Sequence, residues 1–376
     1  MRGWKRWKML CNVSGDADNR ICTAMKVETT LNAHDEAVIA SGLQKFFPAE
    51  VYDIHAHPIN PGHYPKGECD FLADQRAVGC VEHRAALMRY FPVKTLHGLY
   101  FGMPQKNANR SAVNGWIAEE VRSHGTSLSR ALMLVSPEDD PVCVADELRS
   151  GRFCGLKVYH CYAKGADTSQ AQIEEYAPDW MWELVHEIRG VLMLHIMRDR
   201  AIDDPGNQRS LRRLCGAYPQ ARVILAHVAR SFNYRNARRG LHAIANLANA
   251  VVDTSAIGEA DSFRTALSVL GPKRVLWGSD FVVSEFRGRC VTTGAHFYWL
   301  HPQGLLSENL KATRSTMTLV GIESLLCLRE ACEDAGLVPA DLEDIFLRNA
   351  LRTLEPHLGS EALRPRKQPA AEGARN

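Results

Sequence analysis

Long apolar runs are missing from this chain. No stretch of its 376 residues approaches the roughly 20 consecutive apolar residues of a membrane-spanning helix, and none near the start is long enough for a signal-peptide core. Work away from the membrane is expected. A dominant charge sign is missing too: 45 Lys and Arg stand against 43 Asp and Glu, net +2, which offers no electrostatic case for nucleic acid. The one local basic cluster, residues 1–8, reads as a solvated terminus. Eleven cysteines are present, an odd number, but no Cys-x-x-Cys pair, so neither a disulfide scaffold nor a thiolate zinc module is indicated. A reduced, cytoplasmic protein with buried thiols is expected. Cys154 and Cys161, flanking Lys157, read as small core residues.

What is present is a series of apolar runs, each closing on a polar side chain. Residues 51–55 end at His55 and continue to His57. Residues 153–160 carry Lys157 and His160, residues 191–195 end at His195, residues 222–227 at His227, and residues 274–280 at Asp280. Continuous hydrophobic runs of this length suit strands covered on both faces, as in a parallel sheet. Further strands are expected at 95–101, 130–135 and 250–254. Between them lie helical patterns, at 109–121, 141–149, 178–189, 206–218, 236–247 and 261–270. An earlier helix is expected from His34 to Phe46, capped by Asn32 and ended before Pro48. Eight strand-helix units at this spacing predict an α/β fold, a (β/α)8 TIM barrel.

The barrel is expected over 49–357, preceded by an extension and helix over 1–48 and followed by a disordered tail over 358–376, which has too few large apolar side chains to fold alone. Residues 307–328 and 339–354 are expected to form C-terminal helices, the second with an apolar packing stripe of Leu342, Ile345, Phe346 and Ala350. The Gly- and Pro-rich stretch 58–80 is too long for a tight turn and is expected to shape a binding site.

Residues i and i+2 of a strand share a face, so His55 and His57 can reach one ion together. Taken singly, a histidine closing an apolar run is more often a hydrogen-bonded structural residue, and the lesser alternative for Asp280 is a helix N-cap. The joint pattern reverses that judgement.

The run Asp53-Ile54-His55-Ala56-His57, the strand-end His195 and His227, the Gly278-Ser279-Asp280 triplet and the segment Asp344 to Ala350 resemble the amidohydrolase superfamily, most closely its amidohydrolase-2 branch, over residues 49–355. The resemblance implies one divalent metal ion, zinc first, held by His55, His57, His195 and Asp280 at the C-terminal mouth of the barrel, with His227 beside it handling protons. It also implies a use for such an ion, which lowers the pKa of a bound water, with Asp280 orienting that water and taking its proton. Lys157 occupies the place where some branches carry a carboxylated lysine bridging two metals; a mononuclear site with Lys157 as an unmodified cation near the substrate is the favoured reading.

Arg198 and Arg230 each lie three residues past a strand-end histidine and are candidates to grip a substrate carboxylate, with Lys157 and His160 assisting; surface salt bridges are the alternative. Phe297, Tyr298, Trp299 and His301 read as core packing, with a lid over the mouth as the alternative. Hydrolysis of an amide, ester or lactone in a small organic anion is the expected function. Non-oxidative decarboxylation of a small carboxylic acid and a catalytically silent binding barrel are the other readings. The expected partner is a small molecule, with neither nucleic acid nor membrane, and a homodimer is compatible with the resemblance.

Overall fold

The computed structural model describes residues 25–44, 46–72, 75–165, 167–302 and 316–358. The part of the expected 1–48 region that precedes its helix lies mostly outside these residues, as do nearly all of the expected tail over 358–376 and the first part of the expected helix at 307–328.

Parallel strands wind in chain order: β1 (Glu50–Ala56), β2 (Thr95–Tyr100), β3 in two segments (Arg130–Ala131 and Met133–Leu134), β4 (Gly155–Val158), β5 (Val191–Leu194), β6 (Arg222–Leu225), β7 (Ala250–Asp253) and β8 (Val275–Leu276). Pairing is parallel throughout, β1 on β2 through Val51 and Leu96, β4 on β5 through Lys157 and Met193, β7 on β8 through Asp253 and Leu276. The three-stranded and six-stranded sheets share β3, whose first segment pairs with β2 and second with β4. The ring closes where Ile54 N–H reaches Trp277 O at 3.1 Å, Asp280 N–H reaches His55 O at 2.9 Å, and Ala56 bridges Phe281. The expected eight-stranded α/β barrel is the observed fold.

Outside the strands lie α1 (Ala33–Gly42), α2 (Cys80–Leu87), α3 (Arg110–His124), α4 (Pro141–Arg149), α5 (Asp179–Glu187), α6 (Pro205–Ala217), α7 (Tyr234–Gly240), α8 (Ala260–Leu270) and α9 (Val320–Asp334). Their starts carry the chemistry that unsatisfied N–H groups require: Asn32, Asn109, Asp140 and Asp204 accept from the first turns of α1, α3, α4 and α6. Pro339–Glu343, Asp344–Arg348 and Asn349–Leu354 follow one another, and Ile345 and Phe346 are fully buried, so the expected stripe is a packing face. Ile345 O takes the Trp277 N–H at 2.9 Å, and Phe346 meets Trp277 and Phe46 edge and face.

Two cores result from strand alternation. Leu192, Leu194, Val223, Leu225 and Val252 face the helices, whereas Tyr52, Ile54, Leu99, Phe101, Met193 and Ile224 fill the barrel. Continuing the inward parity, Met193 leads to His195 and Val251 to Asp253, and Lys157 lies between outward-facing Leu156 and Val158. In β1 the register shifts between Asp53 and Ala56. That irregularity lets His55 and His57 share the interior although Tyr52 and Ile54 already point there.

Candidate metal centre

Five polar strand ends reach one small cavity of about 70 Å³ at the C-terminal mouth, walled by His55, His57, Lys157, His195, His227 and Asp280. Tyr159, Phe232, Trp299, Met103, Pro104, Gln105 and Val283 complete it. Asp280 has moved farther from its strand than the apolar run predicted: β8 ends at Leu276 and Asp280 sits in the left-handed region with φ 61°. His227 likewise lies past the end of β6, in a turn whose residues His227, Val228, Ala229 and Arg230 all have positive φ, 51–57°. Each such residue carries steric cost, which concentrates at functional sites where surrounding structure enforces it.

The innermost geometry is a triangle. His55 Nε2 lies 3.2 Å from His57 Nε2, and both lie 3.4 Å from Asp280 Oδ1. His55 Nδ1 faces Asp253 Oδ2 at 2.9 Å and His57 Nδ1 faces Gly102 O at 3.2 Å, so each ring carries its proton on Nδ1. Two nitrogen lone pairs and a carboxylate oxygen thus converge. Around a cation with ligands at about 2.0–2.1 Å, tetrahedral edges measure about 3.3–3.4 Å. The donor set therefore fits one divalent metal ion. His55, His227 and Asp280 also each offer a ligand atom within 4.8 Å of the others, so a third imidazole reaches the same place. The His195 ring lies 5.1 Å from the His227 ring and 4.7 Å from Tyr159.

Electrostatics match. Burial, with the Lys157 charge second, lowers His55 to about 4. Burial lowers His57, and pushes His195 well below the usual imidazole range. All three are neutral at pH 7, as ligation demands. Burial opposes the charge on Asp280, but the surrounding His227, His57 and His55 overcome it and hold the carboxyl below its ordinary range. Burial brings Lys157 down to about 8, against the pull of Asp253 and Asp280. Its Nζ lies 3.5 Å from His55 Nε2 and 4.6 Å from the Phe101 ring centre.

Arg198, Arg230 and His160 do not line this cavity. Arg198 pairs with Asp204 at 3.1 Å, where Asp204 also caps α6. Arg230 lies over the Phe297 ring at 5.4 Å, and His160 Nδ1 meets Thr168 Oγ1 at 2.9 Å. The aromatic run 297–299 belongs to an antiparallel hairpin, β9 (Arg289–Thr293) with β10 (His296–Leu300). From it Trp299 lines the cavity and Phe297 packs on Phe232 at 5.0 Å, while Tyr298 is exposed.

Two buried carboxylates escaped the sequence reading. Asp53 takes N–H groups from His55 (3.0 Å) and Ser279 (2.9 Å), the Ser279 hydroxyl, and His83 Nε2 at 2.8 Å, tying β1 to the turn that carries Asp280. Asp253 holds His55. A signal for Asp253 was available, since it closes the apolar run Ala250-Val251-Val252 as His195 closes its own.

The amidohydrolase family profile of the amidohydrolase-2 branch matches residues 52–355. The chain belongs to this family. It is therefore an enzyme of a metal-dependent class. No curated protein matches the chain. Among solved structures, an amidohydrolase from Burkholderia multivorans with bound HEPES is 12% identical, covering 82% of this chain and 99% of its own at a TM-score of 0.53. A dihydroxybenzoic acid decarboxylase from a Polaromonas species, with bound manganese and 2-nitroresorcinol, is 17% identical over 85% of this chain and 100% of its own, TM-score 0.51. A 2,6-dihydroxybenzoate decarboxylase from Rhizobium is 15% identical over 82% and 99%, TM-score 0.50. At such identities the likeness is one of fold. Among the described residues of the amidohydrolase, no helix is long and apolar enough to cross a membrane.

Proposed function

We propose that this amidohydrolase hydrolyses an amide, ester or lactone bond in a small organic anion, with residues 49–357 as the catalytic unit and zinc as the metal. The observation carrying this reading is the triangle of His55 Nε2, His57 Nε2 and Asp280 Oδ1 at 3.2–3.4 Å, lined up beside Lys157 in a cavity of about 70 Å³. His55, His57, His195 and Asp280 would hold the ion; His195 is neutral and continues the inward parity of β5. A divalent ion bound there supplies Lewis acidity and makes a bound water more acidic.

The chain's own groups do the rest. Asp280, engaged through Oδ1, leaves its other carboxylate oxygen to orient a water and receive its proton. His227 donates through Nδ1 to the carbonyl of Ser255 at 3.0 Å, which leaves Nε2 as the atom that passes the water's proton on to a substrate oxygen. Lys157, the cation among the cavity-lining residues, receives the substrate's carboxylate. Burial of the pocket strengthens each of these contacts.

A second reading, non-oxidative decarboxylation of a small carboxylic acid, is favoured by one feature: the flat walls of Tyr159, Phe232 and Trp299 around the same centre. They would suit a ring such as that named for the similarly folded Polaromonas and Rhizobium decarboxylases. Elemental analysis of purified protein together with a screen of lactones, amides and aromatic carboxylates tests both. Acid release without carbon dioxide supports hydrolysis, carbon dioxide release supports the second reading, and protein that neither retains nor takes up a divalent metal refutes both.

A further inference from the structure

We infer that Asp253, acting with Ser255, is a positioning residue that fixes the tautomers of His55 and His227 together, and so leaves Nε2 of His55 aprotic for the metal and Nε2 of His227 open for proton exchange; the inference rests on the metal reading above. Asp253 is fully buried at the inward end of β7. Its Oδ2 faces His55 Nδ1 at 2.9 Å. Its Oδ1 accepts the backbone N–H of His227 at 2.9 Å, the backbone N–H of Ser255 at 3.1 Å and the Ser255 hydroxyl at 2.5 Å. Four donors thus converge on one carboxylate, three on Oδ1 and one on Oδ2.

The consequences follow from which partners can only accept. Having given its proton to Asp253, Ser255 Oγ acts as an acceptor toward His227 Nδ1 at 2.9 Å, and the other neighbour of that nitrogen, Ser255 O at 3.0 Å, is a carbonyl. His227 Nδ1 must carry the proton. His55 Nδ1 is likewise surrounded by acceptors, Asp253 Oδ2 and Ser255 Oγ, the latter at 3.2 Å. The bond to the His227 N–H adds a steric role, since it anchors the first residue of the left-handed turn 227–230.

Asp253→Asn isolates this role because it keeps shape and volume. Two of the donors at the Oδ1 position are backbone amides and cannot invert, so the amide oxygen must stay there and the NH2 must face His55 Nδ1. Two donors cannot face each other. His55 then shifts its proton to Nε2, the atom 3.2 Å from His57 Nε2, and that lone pair is lost to the metal. The same exchange of carboxylate for amide inverts a histidine tautomer in hydrolytic triads.

The test is zinc affinity by competition with a chromophoric chelator, together with 15N NMR of histidine-labelled, metal-free protein at pH 7. Asp253→Asn is expected to weaken zinc binding about 10- to 100-fold, with the His55 nitrogen shifts exchanged and those of His227 retained. Affinity equal to wild type overturns the inference. If the variant fails to fold, the wild-type spectrum decides: Nδ1–H signals for both rings support it, and Nε2–H as the dominant form of either overturns it. A wild type that binds no zinc would defeat the metal reading, while the tautomer measurement would still stand on its own.

Discussion

Acid should destabilise the metal-free amidohydrolase through one buried imidazole. His55 is fully buried, and burial together with the Lys157 charge brings it from 6.5 to about 4. In the unfolded chain the ring takes its proton near 6.5, whereas the folded ring resists until about 4, so between these values the unfolded state binds more protons. Stability from this source is complete above 6.5 and disappears as pH falls through 4. One pKa unit corresponds to about 1.36 kcal/mol, so the interval from 6.5 to about 4 is worth about 3 kcal/mol. Other groups add their own slopes, and His55→Gln separates them. Urea unfolding of chelator-treated protein at pH 7 and pH 4 should show the wild type losing about 3 kcal/mol more than His55→Gln across the interval. Parallel losses in the two proteins would mean that His55 meets no desolvation cost in the fold, and the account of the neutral ligand set would fall with it.

The roles proposed for the two strand-end histidines separate in one assay: His195→Ala should lose zinc, whereas His227→Asn should keep it while turnover drops about 10²- to 10⁴-fold. Equal zinc loss in both would place His227 among the ligands, as its closeness to His55 and Asp280 allows. Lys157→Met should raise KM for an anionic substrate about 10- to 100-fold, the worth of a charge-assisted hydrogen bond, and leave KM for an uncharged ester or lactone nearly unchanged; equal effects on both would remove Lys157 from carboxylate recognition. In the shell, Trp182 is fully buried and gives its N–H to Ala177 O at 3.0 Å, so Trp182→Ala should cost about 3–5 kcal/mol by urea titration with zinc content unchanged.

Much of this architecture was legible because it obeys short-range rules. Pro141–Arg149 is bounded by an Asp cap and a proline, and the observed helix has the expected limits. Apolar runs marked the strands, and parity along them carries Lys157 and His195 inward. Legibility failed where the chain departs from regular geometry. The run ending at Asp280 suggested a strand to that residue, but β8 stops at Leu276 and a left-handed turn delivers the carboxylate. The rule of sequence proximity also overreached: three residues past a strand end did not carry Arg198 to the cavity, because Asp204 at the start of α6 takes its guanidinium.

By itself the order of residues determined the barrel and the inward His195, since alternation and helical spacing are properties of neighbours in the chain, whereas His55 and His57 turn inward through the irregularity in β1 and His227 through a left-handed turn. Only the tertiary structure decided which nitrogen of each ring is left aprotic, because Asp253 meets His55 from 198 positions away and Gly102 meets His57 from 45. A proton's place on an imidazole is settled by the acceptor it faces. That acceptor arrives from a distant part of the chain.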